Sequence, residues 1–175
     1  FRNPDGKETR VAARHCASMA DKHLAAVEYS VTPLNYSGMI TVKAGLHADH
    51  INDGVARYAK LDQHHLKKFA EGGKSDGSFH VSVQTNPSAV MGKALEPAEI
   101  TAAARVIVEL GGERREPRFE IKRADRRVDA AFSQKVKQGQ TLVVHKLVGL
   151  YTRMTCSEIP DTLDDARRTI ADLAS

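Results

Sequence analysis

The chain has 175 residues, with 26 Lys and Arg against 22 Asp and Glu, a formal charge of +4 and 41% hydrophobic residues. That length suits one core that buries roughly 70% of its unfolded surface and leaves no room for a second full domain. No apolar run approaches the ~18 residues that span a bilayer and no basic-then-apolar leader stands at Phe1, so no membrane contact is expected.

In chain order, the first turn signals are Asn3-Pro4-Asp5-Gly6 and Asn35-Tyr36-Ser37-Gly38. Ile40, Val42, Ala44 and Leu46 then alternate with Thr41, Lys43 and Gly45, the two-residue period of a half-buried strand. Asn52-Asp53-Gly54 marks a turn, and Gly72-Gly73 through Asp76-Gly77 has the composition of a mobile hairpin tip. Phe79, Val81 and Val83 alternate with His80, Ser82 and Gln84, before further turns at Asn86-Pro87 and Gly111-Gly112. Phe119 and Ile121 alternate with Glu120 and Lys122, and Val128, Ala130 and Phe132 repeat the pattern. Residues 141–151 are apolar on both faces apart from His145 and Lys146, which predicts a central strand covered on each side, with Lys146 reaching a carboxylate or the rim. From Pro160-Asp161-Thr162 the period changes: Leu163, Ala166, Ile170 and Leu173 recur at helical spacing, and Thr162 with Asp165 can form a capping pair. Asp161, Asp164 and Asp165 add about 0.3 to 1 kcal/mol each at the positive end of the helix dipole. Short strands between such turns predict an all-β antiparallel sandwich with a C-terminal helix.

Few residues carry a pattern that chemistry needs. The basic residues Arg114, Arg115, Arg118, Lys122, Arg123, Arg126 and Arg127 are interleaved with Glu113, Glu116, Glu120 and Asp125, which describes a solvated face rather than a nucleic-acid stripe; only Phe119 among them could stack on a base. His47 and His50, three apart, point to opposite faces of a strand, and the neighbours His64 and His65 diverge, so no metal site is expected. Glu96 and Glu99 flank Pro97 in an expected loop, and Ser18 and Ser37 lack a nucleophile elbow, so no catalytic residue is assigned. In Asp21-Lys22-His23 the Asp reads as a turn former that accepts backbone hydrogen bonds. The two cysteines, Cys16 and Cys156, form no metal-type pair and read as buried or idle thiols of a reducing cytoplasm. There is no Trp, and the aromatic residues fall mostly at inward strand positions.

The order of several blocks goes further: Arg14-His15-Cys16-Ala17-Ser18-Met19-Ala20-Asp21-Lys22-His23-Leu24-Ala25-Ala26, Tyr29 through Gly38, Gly54-Val55-Ala56-Arg57-Tyr58, Gly139-Gln140-Thr141-Leu142, and the run from His145 to Thr152. Together they resemble the N-terminal β-sandwich domain of glycoside hydrolase family 65, whose members are mostly phosphorylases of maltose, trehalose, kojibiose and related α-glucosides. The resemblance implies a sandwich of the super-sandwich type over residues 1–156, with its front strands missing. It also implies a helical linker starting at 157–175 that leads to a catalytic barrel lying outside this chain. It further implies a non-catalytic role in a cytoplasmic enzyme, with packing on that barrel of the same polypeptide, support of a homodimer, an α-glucoside substrate, inorganic phosphate as the enzyme's co-substrate and no other cofactor. The chain starts without Met, so a fragment or processed product is expected. Tyr36, Tyr58 and the adjacent Arg57 are the candidates for an interface or ligand contact; otherwise each ring covers a sheet end. A free-standing carbohydrate-binding or interaction module of the same fold is the rival reading, a trehalose-type hydrolase is a second possible parent, and a small metal-dependent barrel enzyme is disfavoured by the histidine spacing.

Overall fold

The alternating runs fold as strands that face one another across a single apolar layer. The structure, a computed structural model, describes residues 1–48, 50–51, 63–86, 97–154 and 162–172. β1 (Thr9–Ala17), β2 (Leu24–Pro33), β10 (Leu142–Met154), β6 (Ala98–Leu110), β5 (Ser78–Thr85) and β4 (Leu66–Gly73) lie side by side in that order, and the short β7 (Glu113–Arg115) pairs with the end of β6. β3 (Gly38–His47), β9 (Arg127–Val136) and β8 (Glu120–Ala124) make a second, three-stranded sheet. Every pairing is antiparallel.

The core lies between the sheets. Phe79, Val81 and Val83 of β5, Val106 and Val108 of β6, and Leu142 and Val144 of β10 pack against Val128, Ala130 and Phe132 of β9, with Ile40, Val42, Ala44 and Leu46 of β3 half-buried at its margin. Each alternating run therefore presents its apolar set inward, since a one-residue slip would turn the whole set to water. Phe119 precedes β8 yet is buried, its ring edge-on to Phe132 with centroids 5.2 Å apart. A buried side chain of this size contributes about 1.5 to 3 kcal/mol.

β10 occupies the expected central place, paired with β2 on one side and β6 on the other. Its inner face enters the core, and its outer face is covered by α1 (Thr162–Asp172), whose Ala166 and Ile170 pack on Ala103, Leu147 and Tyr151. The helix sits so close that a Cβ on Gly149 would lie 2.7 Å from the Ala166 carbonyl oxygen. The side chain of Thr162, half of the expected capping pair, lies outside the described residues, as do Asp161 and Leu173; Asp165 Oδ1 is 3.3 Å from Arg168 Nη1.

Two local expectations change. Among the described residues Lys146 reaches no carboxylate: its Nζ donates to the Gly45 carbonyl of β3 at 3.2 Å, tying the sheets together. Glu99 belongs to β6 rather than to a loop, and its Oε2 meets Arg153 Nη2 of β10 at 2.8 Å; Glu96 lies outside the described residues. β6 alternates from Ala104 to Leu110 but shows no clean period before that, because there both faces are covered and the outer one is kept small at Ala103 so that α1 can approach. Gly111 and Gly112, with φ of 62° and 85°, form the two-residue turn from β6 to β7, where both positions need the left-handed region.

Candidate functional site

The two sheets differ in width. Six strands at about 4.8 Å spacing span about 24 Å from the first strand axis to the last, while three span only about 10 Å, so the small sheet cannot cover the large one. Its edge strand β3 ends the cover above β10, and the inner faces of β2 and β1 lie open. The result is a cleft of about 610 Å³. Its floor is Val144 and Lys146 of β10, Val27, Tyr29 and Val31 of β2, and Thr9 and Val11 of β1; its wall is the edge of β3 from 39 to 45.

The register explains the apolar floor. Val11 pairs with Val31 and Ala13 with Tyr29, while Val31 pairs with Leu142 and Tyr29 with Val144, so one face of three adjacent strands carries the apolar set. Beyond the reach of β3, Val11 and Tyr29 of this floor each stay 38% exposed; at the margins of the cleft Phe1 is 78% exposed, and Met39, at the start of β3 itself, 63%. At the inner end Lys146 closes the cleft against Gly45, and burial pushes its ammonium pKa below the ordinary lysine value. Lys43 on the wall faces the buried Asp129 at 3.7 Å. The lining carries these two lysines and no carboxylate, so the surface can hold apolar groups but offers no acid and base pair.

Tyr36 stands at the rim of this cleft. Its hydroxyl lies 2.8 Å from Thr9 Oγ1, and Lys7 Nζ sits 5.6 Å from its ring centroid. Arg57 and Tyr58 lie outside the described residues. The turn that carries Tyr36 is held on both sides. Asn35 accepts from the Glu8 amide at 2.8 Å and donates to the Gly6 carbonyl at 2.9 Å, and Ser37 Oγ accepts from the Gln138 amide at 2.8 Å. The Gly139 amide reaches the Pro33 carbonyl at 2.8 Å, so two blocks separated by a hundred residues form one corner of the sandwich. Tyr29, Val11 and Met39 were not singled out from the sequence; the signal was Val27, Tyr29 and Val31 alternating with Glu28 and Ser30.

The other candidates separate. His47 and His50 are exposed, and among the described residues no group of three or more His, Cys, Asp or Glu converges. Ser18 Oγ accepts from the Asp21 amide at 3.0 Å, and Asp21 Oδ1 accepts from the His23 amide at 2.8 Å, which makes Asp21 the turn former expected. The His23 ring stacks on Tyr151 with centroids 4.0 Å apart. Cys16 is a free thiol exposed on the edge strand β1, and Cys156 lies outside the described residues. Among the described residues no helix is long and apolar enough to cross a membrane.

Comparison with known proteins agrees with this architecture. The family model described as "Glycosyl hydrolase family 65, N-terminal domain" matches residues 1–175. A kojibiose phosphorylase of Halothermothrix orenii is 23% identical over 152 residues, covering 87% of this chain and 17% of that protein. A solved structure titled "Putative kojibiose phosphorylase from human microbiome" superposes with a TM-score of 0.73 at 10% identity, covering 96% of this chain and 19% of that one. The chain thus spans less than a fifth of the length of either protein.

Proposed function

The chain belongs to the family of glycosyl hydrolase family 65 N-terminal domains, and from that premise we propose that it is the non-catalytic sandwich domain of a larger α-glucoside phosphorylase. In this reading residues 1–156 form the sandwich and 157–175 begin the helical linker. The reaction, phosphorolysis of an α-linked disaccharide with inorganic phosphate as co-substrate, takes place in a catalytic domain of the same polypeptide. The observation that carries the reading is the open apolar cleft. An edge strand beside exposed Phe1, Val11, Tyr29 and Met39 is a surface that a soluble protein covers. The proposed occupant is the rest of the polypeptide, because the relatives extend over more than four fifths of their length beyond the matched region. Support of a homodimer belongs to the same reading, and the exposed free thiol of Cys16 suits a reducing cytoplasm.

The test is an activity assay on the full polypeptide with kojibiose, trehalose and maltose, with and without phosphate. Phosphate-dependent release of glucose 1-phosphate is the expected result. Glucose release independent of phosphate would move the parent to the trehalose-type hydrolases, and absence of turnover with binding of sugar alone would favour a free-standing module. In the same protein Val11→Asp with Met39→Asp should lower the melting temperature, because both charges would be buried at the covered cleft; an unchanged transition would show that the cleft faces water.

A further inference from the structure

A second cleft, on the side of the molecule where α1 meets β4 and β5, has the opposite character. Lys74 in the turn after β4, Arg105 of β6, Arg123 of β8 and Arg167 of α1 come from four separate elements and line one cavity of about 400 Å³. Lys74, Arg105 and Arg123 have no carboxylate within ion-pair distance among the described residues, and Arg167 shares Asp164 at 3.7 Å. Asp76 is the carboxylate in the lining, and Ser78 engages it through its hydroxyl at 2.6 Å and its amide at 2.9 Å. Four cations against Asp76 and Asp164 leave an excess of two positive charges around one half-open cleft.

His80 lies in this space and registers its field. Burial pushes its pKa below the ordinary histidine value, and the charges of Arg167 and Arg123 push it the same way. The imidazole lies over Gly72, where a Cβ would come within 2.5 Å of its Cε1, so the glycine lets the ring sit flat and leaves the cavity open. A second cavity of about 390 Å³ adjoins through Asp76 and Arg105.

We propose that this cleft binds a phosphoryl dianion, as inorganic phosphate or as the head group of a small phosphate ester, held by Lys74, Arg105, Arg123 and Arg167. Guanidinium forks match phosphate oxygens in pairs, an ammonium adds a point charge, and a phosphate ester carries about −1.5 to −2 at neutral pH, inorganic phosphate between about −1 and −2, which the excess in the cleft can balance. The adjoining cavity gives room for the body of an ester. The inference stands apart from the phosphorylase reading, since it needs only the residues around His80.

The experiment follows His80 in the full chain by NMR of histidine labelled at the Cε1 carbon, its resonance assigned with His80→Gln. A phosphoryl group beside the ring offsets the arginine charges, so its titration midpoint should rise on addition of phosphate up to ~10 mM, with chloride at equal ionic strength leaving it in place. In Arg123→Gln with Arg167→Gln the midpoint starts higher and phosphate should move it only at about tenfold higher concentration or more. Lys74→Gln with Arg105→Gln serves as an independent second pair, and Arg10→Gln with Arg14→Gln on β1 should change nothing. A hexose phosphate that acts at lower concentration than phosphate would assign an ester as ligand, and equal potency would assign phosphate itself. A midpoint insensitive to both anions, or one that still responds equally in both cleft pairs, overturns the proposal.

Discussion

Replacing Gly149 by Ala should loosen α1 while leaving the sandwich intact. The backbone of Gly149 is not in the left-handed region, so the strand itself accepts a side chain. The obstacle is the helix above it. The new methyl group would lie 2.7 Å from the Ala166 carbonyl oxygen and 3.3 Å from the Ala166 Cα. Since a carbon and a carbonyl oxygen settle at about 3.3 Å or more, α1 must retreat by roughly half an ångström. That retreat opens the contacts of Ala166 and Ile170 with Ala103, Leu147 and Tyr151 and stretches the 2.8 Å bond between the Tyr151 hydroxyl and Thr169 Oγ1. Overpacking of this kind costs about 1 to 3 kcal/mol, against a gain of about 0.4 to 1 kcal/mol from restricting the unfolded chain, leaving a net loss of about 1 to 2 kcal/mol. The loss should fall on the helix as local opening. Native-state hydrogen exchange would read it: amides of α1 should exchange about 5 to 30 times faster, with those of β3 and β9 unchanged. Unaltered protection in α1, or an equal fall in β3 and β9, would refute the reasoning.

Other substitutions test other contacts. Asp129 is buried, accepts from Arg127 Nε at 3.0 and 2.9 Å and faces Lys43, so Asp129→Ala should lower stability by about 1 to 3 kcal/mol in urea unfolding; a change near zero would show that the cluster contributes nothing. Burial first, then the charges of Arg167 and Arg123, push the His80 pKa below the ordinary histidine value of 6.5, so the unfolded chain binds the proton more readily. Stability should therefore fall as the pH drops below about 6.5 toward the folded value, and unfolding midpoints of His80→Gln should lack that component. For Lys146→Met the desolvated ammonium disappears along with one hydrogen bond to Gly45, so stability should stay level or rise by up to about 1 kcal/mol; a loss above about 2 kcal/mol would mean that the Lys146 tie holds the sheets together.

The strands that read clearly from the sequence are those with one face in the core and one in water. β3, β5 and β9 alternate because each side chain meets a different solvent, and the helix over 162–172 reads through its stripe of Ala166 and Ile170 for the same reason. β6 escaped that reading: α1 covers its outer face, and Thr101 and Ala103 answer to the close approach of a helix sixty residues downstream. Lys146 was visible as an anomaly in an apolar run, but its partner is a backbone carbonyl, which has no sequence signature. Of the candidates for contact, Tyr36 was legible from its turn, whereas Val11 and Tyr29 are exposed only because β3 stops short of them.

The amino-acid order by itself determined the all-β class, the inward set of the alternating strands, the terminal helix and the family resemblance, because each is written in spacings of two to four residues or in blocks of contiguous ones. Strand order, the unequal widths of the two sheets and the sites that follow from them were decided in three dimensions. The apolar cleft exists because three strands cannot span six, and the cationic one because Lys74, Arg105, Arg123 and Arg167, distant along the chain, converge once the hairpins pair and α1 docks. Pairing across such separations depends on packing summed over the whole core, so no local pattern announces it.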